Sequence, residues 1–289
     1  MYCEVGVALG EFARIDDILY MLRFPELFNA TCPLVVTERY IILLDTYMGP
    51  LPMAPVLSFL EKNRKGREFF IVNSHSHFDH IWGNCAFPGA PIISHQRCRK
   101  IMVENAVSEL HVLSREHPEW VRGDVEIIYP DITFDERLFF HDRLAEIEIF
   151  HLPGHSSDSA AVFLMPGRIM LAADSLEDPF PLLSESGREA NIDLFVRNLS
   201  KLKKRKPALV IAGHGDRMDS GLIDANISYL ENLRRKVEKL LRQGITPDAE
   251  ILPVTECLSE PPVLTPFYHK AHIDNIDRTV CYLRDFVLQ

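Results

Sequence analysis

The stretch Phe69-Phe70-Ile71-Val72-Asn73-Ser74-His75-Ser76-His77-Phe78-Asp79-His80 decides how this chain is read. Four apolar residues in a row are what a strand buried on both faces requires. Three histidines and an aspartate follow within six residues. His75 and His77 stand two apart, so in extended chain they project from one face and reach one ion. Asp79 and His80 are adjacent, and their side chains diverge unless the chain turns there. Such a turn lets both face a second ion close to the first. Imidazole and carboxylate suit zinc, and also iron or manganese.

Downstream, His155, Asp174 and His214 each follow an apolar run of strand character, the first and last of them beside Gly (Leu152-Pro153-Gly154-His155-Ser156, Leu171-Ala172-Ala173-Asp174-Ser175, Ala212-Gly213-His214-Gly215). Ligands at several strand ends converge on one edge of a sheet, where a rigid frame holds them.

The H-x-H-x-D-H pattern resembles the signature of the metallo-β-lactamase fold superfamily, and the later motifs follow in family order. Leu152 to Ser156 is similar to the P-G-H-[ST] turn. Asp174 sits in a segment similar to G-D-[ST], with Ala173 in place of the usual Gly. Ala212 to Gly215 is similar to the G-H-G motif. The resemblance runs from about Pro33 to His214 and fades into a generic helical tail. It implies an α/β fold, the metallo-β-lactamase-like αββα four-layer sandwich, with a helical C-terminal extension. It also implies two divalent metal ions, zinc first by ligand type, iron or manganese as alternatives. One ion would be held by His75, His77 and His155, the other by Asp79, His80 and His214, with Asp174 bridging. A hydroxide shared by the ions would attack an electrophilic carbon or phosphorus. Asp79 is the catalytic candidate, because a carboxylate there would also orient the nucleophile or carry a proton. Asp174 stands where some β-lactamases of the fold use Cys, so the donors are all oxygen and nitrogen. That resembles glyoxalase II, lactonases and phosphodiesterases more than those lactamases.

Other residues carry weaker signals. Asp45 resembles a family position near the site and reads as a buried aspartate bonding loop amides. His95 is open between supporting a ligand and capping a helix, and Asp158 reads as a loop anchor. Glu177 stands where the acyl-homoserine lactonases of the fold carry a substrate-contacting Tyr, a departure from that branch. Phe180-Pro181-Leu182-Leu183 reads equally as pocket wall or core. Lys201, Lys203, Lys204, Arg205 and Lys206 lie at a helix C-terminus, where cations complement the dipole and stay solvated. His269 and His272 read as a surface pair, the alternative being a helix face turned to the pocket.

The elements expected around these motifs are the paired strands Leu34–Thr37 and Tyr40–Leu44 and a helix over Pro52–Asn63. A helix over His95–Glu116 is followed by strands Val125–Ile128, Leu138–His141, Ile147–Leu152, Ala160–Leu164 and Ile169–Ala172. Helices over Asn191–Lys206 and Asp219–Gln243 flank a strand at Ala208–Ala212. Residues 1–245 are expected to form the metallo-β-lactamase-like domain. Residues 246–289 add a proline-rich loop and a last helix, His269–Leu288, packed on it, one compact domain overall.

The composition excludes other classes. The chain has 289 residues, 47% of them apolar and 25% charged, which rules out disordered and collagen-like proteins. Its net charge of −10 disfavours nucleic acid as a partner. Cys3, Cys32, Cys85, Cys98, Cys257 and Cys281 are scattered, as reduced cytoplasmic thiols are. Glu4 and Glu11 interrupt the first apolar stretch, so no signal peptide is expected there, and no run spans a membrane. The sequence leaves the oligomeric state open. It points to a dinuclear-metal hydrolase acting on a small ester, thioester or related acyl compound, held between the Glu177–Leu183 loop and the last helix. The rivals are a non-haem iron oxidoreductase of the fold, persulfide dioxygenase-like, and a phosphodiesterase or nuclease.

Overall fold

The computed structural model describes residues 10–258 and 264–288, so Cys3 and Glu4 lie outside the described residues. The chain falls into two compact units. The first runs to His151 and takes in Val162–Pro166; the second holds Leu152–Ala161 and the chain from Gly167 onward.

In the first unit, β1 (Glu11–Arg14), β2 (Leu19–Phe24), β3 (Ala30–Val36) and β4 (Tyr40–Leu44) form an antiparallel meander. Leu34 pairs with Leu43 and Val36 with Ile41, around the turn expected at Glu38-Arg39. Helix α1 (Ala54–Asn63) then carries the chain across to β5 (Glu68–Asn73), which lies parallel to β4. Parallel pairing sends the C-terminal ends of both strands to the same edge. With Leu44 opposite Val72, the residues after β4 and after β5 emerge side by side. This register brings Asp45 to the histidine motif. Within β5, Phe69, Ile71 and Val72 are buried, while half-buried Phe70 packs its ring 5.1 Å from that of Phe140.

One turn of helix, α2 (Phe78–Ile81), follows, and parallel β6 (Ile92–His95) continues the sheet. The expected helix over His95–Glu116 comprises α3 (Gln96–Ile101), a π-helical stretch Met102–Ala106 and α4 (Val107–Glu116). Residues Val125–Ile128 form no strand, contrary to the expectation. Their apolar side chains pack on the core as extended chain, but the Ile128 carbonyl accepts from Asn84 Nδ2 instead of a neighbouring strand. The place beside β6 is taken by β7 (Ile132–Phe134). The hairpin β8 (Arg137–His141) and β9 (Glu146–His151) completes this unit's own strands. Its core centres on fully buried Trp82, with Ile41, Leu43, Met48, Met53 and Ile71 around it.

Strand β10 (Ala160–Met165) has residues in both units. In the second unit, β11 (Ile169–Glu177) and β12 (Leu209–His214) pair in parallel, joined through α5 (Ile192–Lys204). Asn191 caps α5, accepting from the Leu194 amide. The run Lys201, Lys203, Lys204 and Lys206 is exposed at its C-terminal end, as expected. Helix α6 (Gly221–Arg242) buries Leu222, Ile223, Leu230, Leu233 and Val237, one stripe at helical spacing, and ends before Gly244 at φ +77°. Helix α7 (Pro266–Phe286) starts at Thr265, whose side chain caps it. No helix of the described residues is long and apolar enough to cross a membrane.

Candidate metal centre

The first unit presents four of the seven ligand candidates. After β5 the chain stays extended through His77, then winds into α2, with the His80 amide donating to the His77 carbonyl at 3.0 Å. This is the turn that the adjacent pair Asp79-His80 needs. His75 Nε2 and His77 Nδ1 lie 2.9 Å apart, and His80 Nε2 lies 3.7 Å from Asp79 Oδ2. The rings of His75 and His80 are 4.1 Å apart. His75 and His80 are buried, while His77 and Asp79 are half-buried and reach solvent.

The buried pair is held from behind. Asp45, 2% exposed, accepts from the Ser74 amide and Ser74 Oγ, both at 2.7 Å, and from His80 Nδ1 at 2.8 Å. A proton on Nδ1 leaves the lone pair of His80 on Nε2, the atom facing Asp79. Ser74 Oγ also lies 2.9 Å from His75 Nδ1. Such partners fix the tautomer and orientation of a ligand imidazole. Asp45 thus bonds a loop amide, as expected, and orients the His80 imidazole as well.

The second unit presents the other three. Asp174 lies within β11, where the register against β12 shifts between Leu171 and Ala173 and again before Glu177. One carboxylate oxygen is 3.7 Å from His155 Nε2 and the other 3.3 Å from His214 Nε2. Asp174 therefore stands between two imidazoles, with one oxygen for each. His155 is oriented by the Leu182 carbonyl, which accepts from its Nδ1 at 2.8 Å. Gly213 makes room for the carboxylate: a Cβ there would fall 2.0 Å from Asp174 Oδ1 and 2.7 Å from the Ala173 carbonyl carbon. Ala173 itself sits at φ +44°, which explains why the family motif favours Gly there. Ala173→Gly is expected to stabilise the fold by about 1 kcal/mol, read as a rise in the urea midpoint; an unchanged midpoint would show the site unstrained.

Donor atoms around one tetrahedral zinc, at bonds of 2.0–2.1 Å, are about 3.3 Å apart. The donor pairs within each unit, at 2.9–3.7 Å, fit that spacing. The donor chemistry fits as well, because five imidazoles and two carboxylates suit divalent metals, and His75, His80 and His155 are held through their Nδ1 atoms.

Residues 27–214 match the metallo-beta-lactamase superfamily as a sequence family. The chain belongs to that superfamily. It is similar to the N-acyl homoserine lactonase of Bacillus thuringiensis, 26% identical over 155 residues that cover 50% of this chain and 55% of the lactonase. It is also similar to a putative transcription factor, avaE, of Aspergillus versicolor, 24% identical over 214 residues covering 66% of this chain and 60% of that protein. The match thus spans little more than half the length of these relatives. Among solved structures, a metallo-beta-lactamase from Pontibacter korlensis superposes with a TM-score of 0.63 at 20% identity, covering 77% of this chain and 99% of its own. The metallo-beta-lactamase DIM-1 does so with 0.58 at 19% identity, over 77% and 97%. These superpositions show the expected fold, the mixed α/β sheet sandwich of metallo-β-lactamases with helices at the C-terminal end.

Around these residues the weaker expectations resolve individually. His95 is a helix cap, its Nδ1 accepting from the Arg97 amide at 3.3 Å. Asp158 anchors its loop, accepting from Ser156 Oγ at 2.7 Å. His272 is a correction: it is 2% exposed, with Nδ1 on Tyr229 Oη and Nε2 on the Leu252 carbonyl, both at 2.9 Å. Only His269 of the expected surface pair is exposed. In the loop after β11 the core reading holds for Phe180 and Leu183. Phe180 and Leu183 are fully buried, Phe180 stacking 4.3 Å from Tyr229. Asn275 of α7 donates to the Pro181 carbonyl and accepts from the Leu183 amide. Loop and last helix are therefore locked together.

Two carboxyls gained roles that the sequence did not announce. Glu109 of α4 lies within electrostatic reach of His77 and Asp79; burial raises its pKa and His77 opposes the rise. Glu177 accepts from the Leu182 amide at 3.0 Å, and thus holds the peptide segment whose carbonyl orients His155. Burial pushes its carboxyl up to about 8, with the Asp174 charge adding to the rise. In metal-free protein this group is neutral at pH 7. An unfolded chain releases that proton near pH 4.5, so the contribution of Glu177 to stability falls as pH rises from about 4.5 to 8 and is flat beyond. Glu177→Gln keeps an acceptor for Leu182 and removes the ionisation. Urea unfolding in chelator should show the variant gaining on wild type by up to about 1.4 kcal/mol per pH unit across that window. Parallel pH profiles would contradict this assignment.

Proposed function

We propose that the chain is a dinuclear-metal hydrolase of small acyl substrates, an ester, thioester or lactone. The observation that supports it most is Asp174, whose two oxygens address two different imidazoles. One ion would take His75, His77 and His155 with Asp174, the other Asp79, His80 and His214, the division that the superfamily's ligand motifs imply. Zinc is the first choice by ligand type, with iron or manganese satisfying the same donors. Bound there, such ions would acidify water to a pKa near 7 and polarise an acyl oxygen. Asp79, half-buried and open to solvent, would hold its share of the centre and take up or orient the proton released in attack. Asp45, Ser74 and Glu177 would keep the imidazoles aimed. The lactonase likeness supports an acyl carbon over phosphorus, and a net charge of −10 supports a small molecule over nucleic acid. The free thiols Cys32, Cys85, Cys98, Cys257 and Cys281 suit a reducing, cytoplasmic setting.

A panel of thioester, lactone, lactam and phosphodiester substrates, assayed with and without chelator, tests this reading. Metal-dependent turnover of an acyl compound is expected; turnover of phosphodiesters alone would overturn it. Asp79→Ala should lower kcat by at least about 100-fold and leave the metal-free melting temperature within about 2 °C. A much lower melting temperature in chelator would make Asp79 a structural residue.

A further inference from the structure

The first unit contains a cavity of about 180 Å³ that no ligand candidate lines. Its inner wall is Phe24, Tyr47, Pro52 and Arg122, and its rim carries exposed Glu11 and Glu26. Tyr47 is 4% exposed, sits at φ +57° and stacks on Phe24 with ring centroids 3.9 Å apart. Its hydroxyl makes no hydrogen bond among the described residues, although the ring is buried and faces the cavity. Arg122 is half-buried, and its guanidinium likewise has no hydrogen bond or ion pair among the described residues.

The backbone keeps this arginine in place. The Arg122 amide donates to the Met48 carbonyl at 3.1 Å, and its carbonyl accepts from Leu51 at 3.2 Å. Trp120, two residues earlier, stacks on Phe78 of the histidine motif at 5.0 Å and 3°. Both groups border the cavity with no protein partner among the described residues, so a molecule seated there can accept from them without displacing one. A phenol and a planar guanidinium together match a carboxylate. The rim is of opposite sign: Glu11 and Glu26 also have no ion pair among the described residues. An anion alone would meet two carboxylates at the entrance, and a cation alone would meet Arg122 inside.

We propose that this cavity binds a small amino carboxylate, its carboxylate on Tyr47 and Arg122 and its ammonium at Glu11 and Glu26. As a binding site it stands on its own residues. As the seat of the remote end of a substrate it rests on the hydrolase reading, because Tyr47 lies two residues after Asp45 on the same loop.

Calorimetric titration of the full chain, metal-loaded and chelator-treated, with γ-aminobutyrate, butyrate and butylammonium tests the site. γ-Aminobutyrate should bind saturably, one per chain, with both monofunctional probes at least about tenfold weaker. Arg122→Met and Tyr47→Phe should each weaken it by about three- to tenfold, with metal content and circular dichroism unchanged. Glu26→Gln should narrow the gap between γ-aminobutyrate and butyrate. Butyrate binding as tightly, absence of saturable binding, or an unaffected Arg122→Met would overturn the proposal. Saturable binding by a chain that hydrolyses no acyl substrate would support the site and sink the hydrolase reading alone.

Discussion

Gly213→Ala is expected to abolish turnover as completely as removal of Asp174 itself. The added methyl would meet Asp174 Oδ1 at 2.0 Å, and a carboxylate in that position cannot share the space. It would also press on Ala173 C and Asp174 N at 2.7 and 2.8 Å, so β11 must shift as well. Overpacking of this kind costs about 1–3 kcal/mol of stability. Removing an interaction made by a bridging ligand lowers kcat by about 1000-fold or more if that ligand holds both ions. Steady-state assay and metal content of the purified variant read the first effect, and urea unfolding in chelator reads the second. The double variant Gly213→Ala/Asp174→Ala separates them: it should recover some stability, because the carboxylate clash is gone, and no activity. Near wild-type metal content in Gly213→Ala would mean that Asp174 is not part of the centre.

Asp45→Asn should weaken metal binding by about 10- to 100-fold without changing the shape of the loop. Asn tolerates the φ of +63° that Asp45 adopts, and one oxygen remains for the Ser74 amide. What changes is the group facing His80 Nδ1, where an acceptor becomes an NH2 donor. His80 then favours the tautomer with its proton on Nε2, the atom that would bind the ion. Asp45→Ala should do more, leaving the Ser74 amide and His80 Nδ1 without the acceptor they share in a buried site. Each orphaned group costs about 1–3 kcal/mol. Competition with a chelating dye measures the first effect and thermal unfolding the second. Equal metal affinity in wild type and Asp45→Asn would remove Asp45 from the support of the site.

The histidine motif was legible because its information is local: a buried run, then three histidines and an aspartate within six residues. The strands Tyr40–Leu44 and Leu209–His214 were legible for the same reason, since their apolar runs announce them. The bond from Ser74 to Asp45 joins residues 29 apart, and only the parallel register of β4 and β5 creates it. Glu177 acts on His155 through a backbone carbonyl, which leaves no mark in residue spacing. Val125–Ile128 reads as a strand because its apolar residues face the core, yet Asn84 claims its carbonyl. Strands β6 and β7, with four and three residues, are too short to show a period. His272 reads as a surface residue because nothing in the sequence places Tyr229 and the Leu252 carbonyl on either side of it.

The central claim is that seven side chains hold two ions, and a metal count tests it most directly. Protein purified without added metal, then loaded, desalted and analysed by mass spectrometry, should carry two divalent ions per chain. Anomalous diffraction should place one against His75, His77 and His155 and the other against Asp79, His80 and His214, with Asp174 touching both. A single ion per chain, with Asp79 and His80 away from it, would contradict the account.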